Sequence, residues 1–135
     1  MKLNKLQEKY YYFQRCVYRL TEGMTRDLSD ELILSGMVKH YEMAFELGWK
    51  SMRDYMMYLG VSVNPSPRDS IKAAFKQGIE IHSHIWLEMI EFRNKMVHEY
   101  GEEAAYALIG KLEYGFLEEL QHTVEVMKIL LDGLE

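Results

Sequence analysis

Arg93, Asn94, His98 and Tyr100 fall within eight consecutive residues, Arg93-Asn94-Lys95-Met96-Val97-His98-Glu99-Tyr100, and bring a guanidinium, a carboxamide, an imidazole and a phenol together. A guanidinium forks onto two phosphoryl oxygens and keeps its proton at any physiological pH. An imidazole, with an ordinary pKa of about 6.5, passes protons in either direction near neutrality. Asn94 could hold that ring or donate to the same phosphate. Such a set suits phosphate chemistry. A plainer reading also stands, because an Arg and a His are favoured near a helix C-terminus by the macrodipole, and Gly101 is a natural helix stop.

These side chains need a helix to position them. Ile85, Trp86, Met89 and Ile90 precede the octapeptide with helical spacing. Projected forward at about 100° per residue, Arg93 and Tyr100 nearly eclipse, and Asn94 and His98 share the adjacent stripe. Arg93 and His98 stand roughly 140° apart around one helix. They converge only through the long arginine side chain, a bend near Tyr100-Gly101, or a second copy of the helix. The last option points to a homodimer.

The remaining pattern is helical throughout. Leu6, Tyr10, Phe13, Val17 and Leu20 share one face of a helix expected from Leu3 to Leu20. A second, capped by Ser29 or Asp27, carries Ile33, Met37, Tyr41, Phe45, Trp49, Met52 and Met56 to Leu59 before Gly60. Ser66-Pro67-Arg68-Asp69 opens a short third helix ending at Gly78, and Ser83 is expected to cap the fourth. Glu102-Glu103 opens a fifth, continuous through Ala105, Ile109, Leu112, Phe116, Leu120, Val124, Met127 and Leu131. No stretch alternates with a period of two. The fold class is therefore all-α, an up-and-down four-helix bundle with an additional short helix. Gly48 in mid-helix points to a close helix contact. Tyr10-Tyr11-Tyr12-Phe13 spans too much of a helix to face one core, so part of it lies at a wet bundle edge or at a protein interface.

Composition bounds the rest. The 135 residues suit a single domain with its own core. A formal charge of −5 argues against broad nonspecific nucleic-acid binding, while leaving room for a local basic groove. Cys16 is the sole cysteine, which excludes an internal disulfide and a Cys-rich zinc site and fits a reducing cytoplasm. Met1 to Gln14 is charged and aromatic, so no signal peptide is expected, and no run is long and apolar enough to span a membrane. His82 and His84, with Glu80, lie two residues apart at a helix start, a spacing that does not aim both rings at one ion; no metal or cofactor is expected. His40 and His122 read as surface or interface histidines, and the methionines as core filling.

Several anchors fall in order along the chain: Phe45-Glu46-Leu47-Gly48-Trp49-Lys50, Asp54-Tyr55, Gly60, Pro67-Arg68, Ala74-Phe75, Gly78-Ile79, Trp86-Leu87-Glu88-Met89, then Arg93-Asn94, His98 and Tyr100. From about residue 30 to residue 125 the chain resembles the nucleotidyltransferase substrate-binding protein family of the HEPN superfamily, whose signature is R-x4-6-H. The resemblance implies one HEPN-like helical-bundle domain over residues 1–135, a symmetric homodimer with facing signature helices, and a minimal nucleotidyltransferase (MNT) partner. It implies a toxin of a toxin–antitoxin pair, a metal-independent endoribonuclease with Arg93, His98 and Asn94 as catalytic residues and RNA as substrate. Tyr100 would be the acceptor of AMP from the nucleotidyltransferase, or would merely cap the bundle. The alternative is a noncatalytic subunit presenting a nucleotide or other substrate to the transferase. Glu99, Glu102 and Glu103 make the edge of the site acidic, which works against RNA binding.

Overall fold

The computed structural model describes residues 2–98 and 101–135. Its elements are α1 (Leu3–Gly23), α2 (Glu31–Tyr58), α3 (Pro67–Lys76), α4 (Ser83–His98), α5 (Glu102–Lys111), a wide π turn over Leu112–Phe116, and α6 (Leu117–Asp132). Among the described residues there is no strand. The all-α bundle expected from spacing is therefore present, with α3 as the short extra helix.

The apolar faces are the expected ones. Leu6, Phe13, Cys16, Val17 and Leu20 of α1 are buried, while Tyr10 is half-buried and donates its hydroxyl to the Val124 carbonyl at 3.2 Å. Tyr11 and Tyr12 point outward, so the aromatic run does divide between core and surface. α1 packs along α2 and against α6; α2 also meets α3 and α5. Tyr41, Phe45, Phe13 and Trp86 form the aromatic centre of the core.

Two caps differ from expectation. Asp30, not Ser29 or Asp27, opens α2, its carboxylate accepting from Leu32 N–H at 2.8 Å. Asp27 is occupied by its own turn, accepting from the backbone N–H and hydroxyl of Ser29. Ser83 lies inside α4, and the helix is opened instead by His82, whose carbonyl accepts from Ile85 and Trp86. At α3 the expectation holds, Ser66 Oγ accepting from Asp69 N–H at 3.2 Å with Pro67 first in the helix.

The long last helix is interrupted. Gly115 adopts φ +155° and Tyr114 leaves helical geometry, which separates α5 from α6. Glycine tolerates that φ, whereas a Cβ there would strain the turn. Leu112 and Phe116 remain buried on either side, so the apolar pattern survives the break.

At Gly48 the helices come closer than a side chain permits. A Cβ there would stand 2.6 Å from the Trp86 ring and 2.9 Å from the Phe13 ring. Gly48→Ala gains about 1 kcal/mol of helix propensity but must displace two buried rings, which costs about 1–3 kcal/mol. The expected result is a lower urea midpoint with an unchanged slope, measured by circular dichroism.

Candidate functional site

α4 carries the octapeptide, and the helix is anchored at its start. Glu119 of α6 is a buried carboxylate that accepts from His82 N–H at 2.8 Å and from His82 Nδ1–H at 2.7 Å. One turn on, Trp86 Nε1 donates to Thr123 Oγ1 at 3.0 Å, and that hydroxyl donates to the Glu119 carbonyl. His122 packs beside His82, with ring centroids 4.9 Å apart, and its Nε2 donates to the Glu80 carbonyl at 2.6 Å. His122 is thus a packed bundle histidine. Among the described residues no group of three His, Cys, Asp or Glu side chains is arranged to hold a metal ion. The ring nitrogen of His82 that faces the acidic side chain is already engaged.

Along α4, Trp86, Met89, Ile90 and Met96 turn inward. Tyr41 donates to the Met89 carbonyl at 3.1 Å, and its ring stacks on Phe116 at 6.1 Å and meets Phe92 edge-on at 6.3 Å. Phe92 also meets Phe116 edge-on, at 5.9 Å, so the three rings form one aromatic cluster in the core. Burial pushes the Tyr41 hydroxyl well above the usual tyrosine range, and the nearby Arg93 charge opposes that only partly. Tyr41 is therefore a neutral donor fixed in the core, not an acid for catalysis.

Arg93 is half-buried, and its Nη2 lies 3.4 Å from Glu46 Oε1 of α2. Glu46 is also shared with Lys50, 3.3 Å away. Asn94 and His98 are exposed, His98 being the last residue of α4. Among the described residues no hydrogen bond or ion pair joins Arg93, Asn94 and His98 to one another. One chain thus displays the three groups around a helix end without closing them on a point, as the helical projection expects. Glu99 and Tyr100 lie outside the described residues, and with them the expected stripe of Arg93 and Tyr100 and the candidate AMP acceptor.

Beside the helix end are two adjoining shallow depressions between α2 and α5. One, of about 330 Å³, is lined by Val38, Glu42, Met96, Val97, Gly101, Ala104 and Ala105. The other, of about 410 Å³, runs on past Leu34 and Ser35 to Glu31 and Glu102. Gly101 starts α5 with φ +117°, so it serves the following helix. Glu31, Glu42 and Glu102 make this rim acidic; of the three glutamates expected at the edge of the site only Glu102 lines it, Glu99 lying outside the described residues. Spacing missed Glu46 as the partner of Arg93 and missed the aromatic cluster of Tyr41, Phe92 and Phe116. Glu46 sits 47 positions before Arg93 in sequence, and nothing local marks it.

The fold and the polar helix end define a class, an all-α bundle presenting an Arg/Asn/His cluster at the end of its fourth helix. Residues 8–129 match the family described as nucleotidyltransferase substrate binding protein like, and the chain belongs to that family. It is similar in fold to a chain of a mutant toxin–antitoxin complex, MntA–HpeT, with 17% identity over 92% of this chain and 97% of that one and a TM-score of 0.76. It is similar also to a chain of the tri-AMPylated Shewanella oneidensis HEPN toxin in complex with MNT antitoxin, with 18% identity, 96% and 99% coverage and a TM-score of 0.75. A protein of Thermus thermophilus gives 21% identity, 91% and 98% coverage and a TM-score of 0.66. No curated protein matches the sequence.

Glu46 holds the guanidinium that would meet a phosphate. A partly exposed pair of this kind is worth at most about 1 kcal/mol. Removing the competing charge with Glu46→Gln should therefore tighten binding of a short RNA or of inorganic phosphate by up to about fivefold. Isothermal titration of both proteins at one ionic strength measures it, and Arg93→Ala should erase the difference.

Proposed function

We propose that this chain is the HEPN-type toxin of a toxin–antitoxin pair, a metal-independent endoribonuclease neutralised by a minimal nucleotidyltransferase partner. The observation that supports this best is the exposed Asn94 and His98 beside Arg93 at the end of α4, in a fold similar to that of toxins solved with MNT antitoxins. The working unit is a homodimer in which two α4 ends face each other and supply two copies of each group. In that cleft one His98 takes the proton of the RNA 2′-hydroxyl, whose oxygen bonds to phosphorus. The bond to the 5′-oxygen breaks, and His98 of the second copy gives the leaving oxygen its proton. Arg93 neutralises the pentavalent phosphorane between them, and Asn94 orients an imidazole or donates to phosphate. A cytoplasmic location belongs to the same proposal, since cellular RNA is found there and the lone cysteine suits a reducing compartment. Among the described residues no helix is long and apolar enough to cross a membrane.

One observation favours a second reading. Glu46 occupies Arg93, and Glu31, Glu42 and Glu102 rim the neighbouring depressions. An acidic rim repels RNA and would suit a noncatalytic subunit that presents a nucleotide to the transferase through the same residues. Proton transfer separates the two readings, because a neutral donor at position 98 can still bind phosphate but cannot move a proton.

Induced alone in a bacterium, the wild type should arrest growth, and co-expression of the nucleotidyltransferase should relieve the arrest. Arg93→Ala, His98→Ala and His98→Gln should each abolish arrest and RNA cleavage while leaving helicity and melting nearly unchanged, since surface side chains contribute little to stability. Arrest persisting in His98→Gln, or no cleavage of total RNA by the wild type, would transfer the assignment to the binding subunit.

Neutralisation is proposed to be covalent at Tyr100. Its phenolate oxygen attacks the α-phosphorus of ATP bound to the nucleotidyltransferase, forming the tyrosyl–AMP bond and releasing pyrophosphate. The added phosphodiester would then pair with Arg93 where RNA phosphate must sit. After incubation with the partner, ATP and magnesium, mass spectrometry should find AMP on the peptide containing Tyr100 and none on Tyr100→Phe. An unmodified peptide from an active partner would refute it.

A further inference from the structure

The core-facing side of α1 is accounted for by Leu6, Phe13, Cys16, Val17 and Leu20, and the opposite side is left to solvent among the described residues. Along it run Tyr11 and Tyr18, 54% and 62% exposed, with Gln14, Arg15 and Arg19 between and beside them. These five residues line a shallow surface groove of about 490 Å³ that contains no carboxylate. The only ion pair among the described residues that touches the groove is the contact from Arg19 to Glu22, at 3.7 Å. Yet the chain carries a net charge of −5, while α1 holds four basic residues against two acidic ones. Of those four, Arg15 and Arg19 lie on this face, while Lys9 is turned to the buried carboxylate of Asp54.

We propose that the outer face of α1 is a binding track for single-stranded RNA, with Tyr11 and Tyr18 stacking on bases and Arg15 and Arg19 on phosphates. The inference rests on the RNA-cleaving reading and names where the substrate strand runs beyond the reacting phosphate. Tyr11 and Tyr18 are seven residues apart, about 10 Å along the helix axis, which leaves room for an unstacked nucleotide between two stacked ones. Arg15 and Arg19, one turn apart, are separated by about 6 Å and can meet neighbouring phosphates. Gln14 offers both a donor and an acceptor to a base edge. Two exposed guanidiniums, of which only Arg19 has an acidic partner among the described residues and that at 3.7 Å, fit a polyanion, and tyrosine faces stack on any base without sequence preference.

The test is fluorescence anisotropy of the full chain with a labelled twelve-nucleotide oligouridylate over a range of salt, beside RNA cleavage and light scattering. All four substituted residues are exposed, so the variants keep the fold. Arg15→Ala/Arg19→Ala should weaken binding at least tenfold and lower the salt slope by roughly one to two phosphate contacts. Tyr11→Ala/Tyr18→Ala should weaken it by a similar factor with the slope unchanged, since stacking releases no counterions. Unchanged binding in both double variants overturns the track, and so does a double variant that leaves RNA binding intact but changes the dimer mass or releases the nucleotidyltransferase, which would make the face a protein interface. Failure of the cleavage reading looks different: wild-type RNA is bound through α1 and left uncut.

Discussion

The buried carboxylate of Glu119 fixes the part of the molecule on which everything else depends. A carboxylate removed from water must be satisfied, and hydrogen bonds to a charged group are worth about 1.5–3 kcal/mol each. Glu119 takes two from a single residue, the backbone and the ring of His82, and so ties the first turn of α4 to α6. Trp86 and Thr123 add a second tie one turn later. Together they set both the axial position and the rotation of α4. Arg93 lies eleven residues beyond His82, about 16 Å along a rigid helix. Loss of the tie would let α4 slide or turn, and the small displacement at its start would be carried directly to the arginine.

The opposite end of α4 has a different character. Tyr41, Phe92 and Phe116 pack on one another in the core, and the chain breaks at Gly115, immediately before Phe116, while α6 continues along α1. Beyond Met96 the helix has few partners: Val97 and His98 are exposed. If, as proposed, the site admits a polymer and then releases it, such an end suits it better than the latched one. The chain thus divides α4 between a firmly held half and a presenting half.

The helices were legible because the apolar spacing repeats with the helical period across α1, α2 and the α5–α6 arm, and because Ser66-Pro67-Arg68-Asp69 leaves little choice but a helix start. The kink was not legible, since Leu112, Phe116 and Leu120 keep that period straight through it and Gly115 reads as a tolerated helical glycine. Nor could spacing select Asp30 among three nearby residues able to cap α2; Asp27 is removed from contention only by the turn it stabilises. Within the site, the motif residues were visible as types and spacing, and their splay around α4 followed from helix geometry. Their partners were not. Glu46, Glu119 and Thr123 are polar residues on otherwise ordinary helices, and what makes each consequential is a residue 37 or more positions away.

The pairing of Arg93 with Glu46 bears on how such a site can be both quiet and competent. Neither partner is deeply buried, so water screens the pair and its strength is no more than about 1 kcal/mol. A phosphate that offers two oxygens to the same guanidinium exceeds that easily. On the proposed reading Glu46 would set a threshold for occupancy without blocking the site, passed only by a ligand with charge and bidentate geometry. In a single chain that ligand would still sit in high-dielectric water beside an exposed Val97 and His98, where electrostatic stabilisation of a reacting phosphate is weak. Covering Val97 with a second copy of α4 would remove water and bring in another imidazole at the same stroke. The apolar residue within the polar motif thus argues for the facing-helix dimer as strongly as the splay of Arg93 and His98 does.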